Sequence, residues 1–220
     1  QLKAKGHPEH FSHGLRITDE VALDCAQGAA GQLRFEIEAA FSQGLPNTPM
    51  ANATLRVISG NFLTARPVGI VDGIDFKNSG VVRKVDAVAI RRAIDTGAVV
   101  LLSPFGFSPT GEAFNLTMED VATSTAIALQ ADKLMFITEV PGVRENNDDA
   151  NSDIDTELSL ADAERILAAL PAPTRPTDVA FYLRHCVRAC REGVERSHIL
   201  PFGVDGALLQ EVYTHDGIGT

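Results

Sequence analysis

The chain has 220 residues, 45% of them apolar, and 19 basic against 29 acidic side chains give it a formal charge of -10. That length and apolar content support a sizeable core, in one large domain or two small ones. The negative balance argues against nucleic acid or an anionic membrane surface as the main partner. No apolar run approaches the roughly 18 residues of a membrane span and no signal peptide is visible, so a cytoplasmic protein is expected. Three cysteines, Cys25, Cys186 and Cys190, form no CxxC pair, which suits a reducing compartment and neither a disulfide framework nor a zinc site. Cys186 and Cys190 stand four apart on a predicted helix. They read first as two small core residues and second as a metal pair on one face.

In chain order, residues 1–14 are polar and carry His7, His10 and His13 at a spacing of three. A helix would set these as metal ligands on one face, but Gly6, Pro8 and Gly14 point to a solvated loop. Thr18 is the expected cap of a helical pattern over Asp19–Ser42, in which Gly28 and Gly31 mark a kink or break. Gly44–Asn52, rich in Pro and Asn, is a loop. Leu55–Ser59, Val68–Val71 and Val81–Lys84 have strand character, punctuated by Gly60–Asn61 and Asp72–Gly73, and predict an antiparallel flap at the edge of a main sheet. Asp86–Ile94 is a short helix closed by Gly97.

The stretch Ala98–Val143 organises the rest. Val99–Ser103 reads as a buried strand ending at Pro104 and Gly106. Thr117 caps a helix with Glu119 and Asp120 in its first turn, where acidic groups suit the helix dipole, and Lys133–Thr138 is a second strand. Such a strand, helix, strand unit predicts two parallel neighbours in one sheet, with a ligand crevice beside Ser103–Asn115 and Thr138–Gly142.

Beyond Gly142 the run RENNDDANSDIDTE lacks the glycine and closing glutamate of an EF-hand and reads as a solvated acidic loop. Ser159 caps a helix bearing Ala163, Ile166, Leu167 and Leu170, and Pro171–Pro176 breaks it. Thr177–Gly193 is a further helix, Ser197–Leu200 a strand, and Asp205 or Gly206 opens a last helix that Gly217 ends. Alternating β and α elements with one β-rich insertion predict a three-layer α/β sandwich with a largely parallel sheet. A start on Gln1 and an end on GIGT suggest a piece of a longer polypeptide.

Spacing alone carries little chemistry. There is no GxxxxGK[ST] loop, GxSxG elbow or HExxH, and no metal site is expected. Ser103, Asn115, Thr117 and Glu119 lie at strand ends where a ligand would sit. Arg16 in HGLRITDE either clamps a carboxylate bidentately or forms a surface ion pair.

HGLRITDE (13–20), SGNFLTARPVGIVDGIDF (59–76), SPFGFSPTGEAFNLTMEDVATSTAIAL (103–129), FITEVPGV (136–143) and HILPFGVDGALLQEVYTHDGIGT (198–220) together resemble the amino-acid-kinase-like domain of bacterial N-acetylglutamate synthase, which is related to N-acetylglutamate kinase. The resemblance implies the amino-acid kinase or carbamate kinase-like fold across residues 1–220, N-terminally truncated. A first strand, a phosphate loop and a helix are implied before Gln1, and an acetyltransferase domain after Thr220. It also implies that Arg16 and Asn115 match the residues with which the kinases hold the acetylated amino acid. Glu119 stands where they have an Asp that organises catalytic lysines, and the later kinase lysine, which would fall near Tyr182, is missing. Phosphoryl transfer needs such cations, so no catalytic residue is assigned to this chain.

The family's arginine effector site is implied around His198, Ile199, Leu200, Glu211 and Gly217. Glu211 can accept a guanidinium as a fork, with strand carbonyls near His198 taking its other donors; on residues alone Glu211 reads first as a helix-surface carboxylate and His198 as a strand-end residue with an ordinary partner, and the resemblance reverses that order. The implied function is regulatory and scaffolding, within a homo-oligomeric enzyme that acetylates L-glutamate with acetyl-CoA and responds to L-arginine. No cofactor belongs to the chain itself, and acetyl-CoA is a substrate of the following domain. The alternative is an ATP-dependent amino-acid kinase.

Overall fold

The computed structural model describes residues 8–43, 55–140, 142–144, 154–173, 179–214 and 219–220. The chain folds as two compact units, residues 1–10 with 16–121 and residues 11–15 with 122–220. His7, the Gly44–Asn52 loop, most of the acidic run after Gly142 and Gly217 lie outside the described residues.

Phe11–Ser12 (β1) and Leu15–Arg16 (β2) pair as a hairpin where a loop is expected. Two-residue strands are too short to show an alternating pattern. The first helix, Glu20–Ser42 (α1), is continuous over 23 residues. Its cap is Asp19 rather than Thr18, and Asp19 Oδ1 accepts the Ala22 N–H at 2.9 Å. Gly28 and Gly31 do not break it, since each costs only about 1 kcal/mol relative to Ala.

The segment read as an antiparallel flap holds Val57–Ile58 (β3), Leu63–Pro67 (β4), Ile70–Val71 (β5), Ile74–Asp75 (β6) and Gly80–Val85 (β7), of which β4 and β6 are not apparent in the sequence. Its first strand departs from that reading, since β3 pairs in parallel with Val99–Val100. β4 runs antiparallel to β7. β5 and β6 form a hairpin about Asp72 and Gly73, whose φ values of 49° and 77° are those of the primed turn that an Asp-Gly pair favours. Asp86 caps the helix Ala87–Asp95 (α2), its Oδ1 accepting the Ala89 N–H at 3.0 Å, and the Gly97 N–H returns to Ile94 O at 2.8 Å.

The expected strand Val99–Ser103 is only Val99–Val100 (β8). The segment read as a loop holds Phe105–Phe107 (β9) and Ala113–Asn115 (β10), so the first unit has a four-stranded sheet of order β10-β9-β4-β7. Leu63, Ala65, Phe114, Leu116 and Val121 form its core. Helix Met118–Leu129 (α3) starts as predicted, with the Asp120 N–H donating to Thr117 Oγ1 at 3.2 Å.

The second unit contains Lys133–Thr138 (β11), Leu160–Ala169 (α4), Val179–Arg191 (α5), Arg196–Pro201 (β12) and Ala207–Tyr213 (α6). β11 and β12 pair in parallel from Lys133↔Arg196 to Thr138↔Pro201. Helices α4 and α5 and both strands enclose Leu134, Phe136, Ala163, Leu183, Val187 and Ile199. One expectation fails: β8 and β11, on either side of α3, do not pair with each other. β8 pairs in parallel with β3 and β11 with β12, because a crossover fixes the direction of its strands and not their adjacency. Helix α6 begins after Gly206, as expected, but stops at Tyr213, short of Gly217. Parallel pairs with packed helices place the chain in the α/β class. Among the described residues no helix is long and apolar enough to cross a membrane.

Candidate functional site

Arg16 and Asn115 are tied into one polar network of the first unit. Ser79 Oγ lies 2.6 Å from Arg16 O and 3.0 Å from Thr18 Oγ1, and it accepts the Thr18 N–H at 3.0 Å. A hydroxyl has one proton, and the shorter contact assigns it to the Arg16 carbonyl. Asn115 Nδ2 donates to Thr18 Oγ1 at 3.0 Å, and backbone bonds from Asn78 N to Thr18 O and from Asn115 N to Asn78 O close the network. Thr18, expected as a helix cap, is instead fully buried at its centre. Its signal in the sequence was ambiguous, since Thr caps helices and also fills polar cores.

The Arg16 guanidinium meets Glu9 at 3.2 Å, an ion pair the sequence did not reveal. With both side chains about one-third exposed (30% and 34%), it contributes little to stability. Glu119 sits in the first turn of α3, and burial holds its carboxyl above the usual carboxylate range, partly offset by a backbone hydrogen bond. The neighbouring Asp120 is structural: its Oδ2 accepts the Val82 N–H of β7 at 2.9 Å.

In the second unit, β12 and α6 bring together His198 and Glu211. His198 Nδ1 lies 2.6 Å from Glu211 Oε1, with the side chains 13% and 9% exposed. His198 Nε2 is buried and has no hydrogen-bond partner among the described residues. Ile199 and Leu200 are 1% and 0% exposed, so their side chains belong to the core and only their backbone is available to a ligand. The Ile199 carbonyl already accepts the Thr220 N–H at 3.2 Å.

The place where the kinase lysine would fall is aromatic. Tyr182 packs against Phe136 and Phe181 with ring centroids 5.8 and 6.4 Å away, and His185 joins the cluster 5.0 Å from Phe181, its Nδ1 3.2 Å from Thr123 Oγ1. Cys186 is part of the core, as the sequence suggests, and burial first, then the Cys190 charge, pushes its thiol up to about 12. A protonated thiol is a poor metal ligand, and Cys190 Sγ instead meets Ser197 Oγ at 3.4 Å. Among the described residues no three His, Cys, Asp or Glu side chains converge as a metal site.

Known proteins resemble this chain closely in sequence and fold. The model of the amino acid kinase family matches residues 1–201. Over 220 residues the chain is 53% identical to the amino-acid acetyltransferase of Ralstonia nicotianae and 44% identical to that of Pseudomonas fluorescens, covering all of this chain and 47% and 49% of those proteins. It thus spans about half the length of the curated relatives it matches. The solved N-acetylglutamate synthase of Neisseria gonorrhoeae, complexed with coenzyme A and L-arginine, superposes with a TM-score of 0.87 at 38% identity, over 99% of this chain and 49% of that one. A Giardia carbamate kinase superposes with a TM-score of 0.61 at 14% identity, over 86% and 70%, which shows the fold alone. The resemblance to N-acetylglutamate synthase read from the sequence motifs is borne out, and the chain belongs to the amino acid kinase family.

Proposed function

We propose that this chain is the regulatory and scaffolding domain of an amino-acid acetyltransferase that acetylates L-glutamate with acetyl-CoA in the cytoplasm, and that L-arginine is its effector. The observation that carries this reading is the 53% identity to an amino-acid acetyltransferase over every residue of the chain. The Neisseria synthase, whose structure was solved as a complex with coenzyme A and L-arginine, supports the substrate and effector assignments.

Arginine binds at the β12–α6 end of the second unit, with Glu211 accepting the guanidinium and the His198–Leu200 backbone and Gly217 completing the contacts. A nearly buried carboxylate held by α6 against β12 offers the charged, directional acceptor that a guanidinium fork needs. The pocket of Arg16, Asn115 and Glu119 is a relic of the kinase site. Its Arg is paired with Glu9, its Asn amide donates to Thr18, and a half-buried Glu stands in place of the organising Asp. An aromatic cluster stands in place of the kinase lysine, whereas phosphoryl transfer uses such a cation to neutralise the transferring group. The acetyltransferase chemistry belongs to a second domain, and this chain alone transfers neither acetyl nor phosphoryl groups.

The full-length protein also self-associates through this domain. In support, α1 exposes Leu33 and Phe35, at 54% and 66%, apolar area that a second copy would bury. Sedimentation tests this: a monomer at micromolar concentration, with and without arginine, refutes it.

The deciding experiment for function is an assay of the full-length protein with acetyl-CoA and glutamate, and with ATP and N-acetylglutamate, each with and without arginine. Arginine-sensitive acetyl transfer is expected. ATP-dependent phosphorylation would overturn the reading.

A further inference from the structure

Gly219 and Thr220 lie against the strand that carries His198. The Ile199 N–H donates to Thr220 O at 2.8 Å, and the Thr220 N–H donates back to Ile199 O at 3.2 Å, the reciprocal exchange of an antiparallel ladder. Thr220 Oγ1 accepts the Val143 N–H at 2.9 Å, so the segment is gripped both by β12 and by the turn that follows β11. The approach is too close for side chains. A Cβ on Gly219 would run into the Ile199 carbonyl oxygen and stand 2.8 Å from Leu200 Cδ2, and one on Gly142 would stand 2.7 Å from Thr220 Oγ1.

The peptide unit between His198 and Ile199 therefore serves two contacts. On one side it is anchored by the His198 imidazole, which is bound to Glu211. Its N–H is also the donor that holds Thr220. A peptide unit is planar and stiff, and the parallel ladder to β11 fixes the strand's register along its whole length. A change at Glu211 that moves His198 is thus felt as a tilt of the N–H that grips Thr220.

We propose that the Gly219–Thr220 segment, docked on Ile199, is the coupling element of this domain: it carries the state of the His198–Glu211 pair to the polypeptide beyond Thr220 in the full-length protein. Gly219 and Thr220 are positioning residues for the effector response and touch neither effector nor substrate. This rests on the effector reading given above.

The test uses full-length protein with two substitutions. Gly219→Ala forces the segment off β12, whereas Thr220→Val keeps the shape and the backbone pairing and removes only the acceptor for Val143. Arginine binding is measured by calorimetry, and acetyl transfer is measured across an arginine titration. Gly219→Ala is expected to keep its basal rate and bind arginine within about fivefold of wild type, while arginine changes its rate by less than about twofold; Thr220→Val is expected to respond at an intermediate level. A response of wild-type size in both variants overturns the proposal, as does a loss of response that only tracks a loss of binding. If Gly219→Ala does not fold, Thr220→Val decides by whether its response falls at unchanged arginine affinity. Wild-type protein that binds no arginine at all would instead remove the effector reading, and the coupling with it.

Discussion

Glu211 on α6 holds His198 on β12: the carboxylate oxygen and the imidazole nitrogen lie 2.6 Å apart across thirteen residues of sequence. Glu211→Ala therefore has two effects. It strands His198 Nδ1 beside an Nε2 that already lacks a partner among the described residues, which costs ~1–3 kcal/mol of stability. It also removes the acceptor proposed for the guanidinium, so arginine affinity falls about ten- to a hundredfold. Glu211→Gln is nearly as damaging to binding, since an amide nitrogen points a donor at a donor. Urea midpoints separate the first effect from the second, which calorimetry reads. Unchanged affinity in Glu211→Ala would move the effector site elsewhere.

Glu119 tests the proposal that its pocket is a relic of a kinase site. Its folded pKa is raised above 4.5 by burial, so the folded state binds the proton more tightly than the unfolded chain. That stabilisation is complete below the unfolded value and is lost as pH rises through the folded one. Near neutral pH the ionised carboxylate is a burden, and Glu119→Gln should raise the melting temperature there while changing it little at about pH 4. Arginine binding should stay as in wild type. A lower melting temperature at neutral pH would show that the carboxylate has a stabilising partner.

Cys186 predicts an alkaline weakness in the second unit. Its folded thiol is raised from 9.0 to about 12, chiefly by burial, so the contribution is intact below the unfolded pKa and is lost as pH climbs from there towards the folded value. The loss runs at up to about 1.4 kcal/mol per pH unit across that window. Cys186→Ala should flatten this part of the stability profile. Labelling by a thiol reagent supplies the direct check: the folded protein should react at Cys190 well before Cys186, and the opposite order would contradict the packing.

Ser79 bears on the first unit. Ser79→Ala leaves the Arg16 carbonyl, the Thr18 N–H and the Thr18 hydroxyl short of a buried partner, so it should cost about 1–3 kcal/mol or more. Thr18→Val, which keeps the shape and loses the hydroxyl, should weaken the protein in the same range by stranding Asn115 Nδ2. Denaturant midpoints within ~0.5 kcal/mol of wild type would mean that water replaces the missing groups.

Long elements with caps were legible from the sequence. Thr117, Ser159 and Asp86 start their helices where expected because a side-chain oxygen three residues before an N–H is a local signal. β11 matched residue for residue, being an apolar run between a turn and a bend. Very short strands were not legible: β1, β6, β9 and β10 hold two or three residues each, too few to carry an alternating pattern, although each pairs with a near neighbour in sequence, β1 with β2, β6 with β5 and β9 with β10. The site followed the same division. Arg16, Asn115, His198 and Glu211 were singled out through their motifs, whereas Glu9, seven residues from Arg16, and Ser79, sixty-three from it, enter only through contacts that the structure shows. Neither carries a local pattern that betrays its partner.

The parallel pairing of Lys133 with Arg196 also sets an order of events during synthesis. The edge of β11 facing β12 cannot close until about sixty more residues have been made, and closing so long a loop is slow compared with hairpin formation. Until then Leu134 and Phe136 lack their β12 partners Ser197 and Ile199. A ribosome-bound chain arrested before Pro201 should remain protease-sensitive through β11, whereas the flap about β4 and β7, whose partners lie close in sequence, should already resist cleavage.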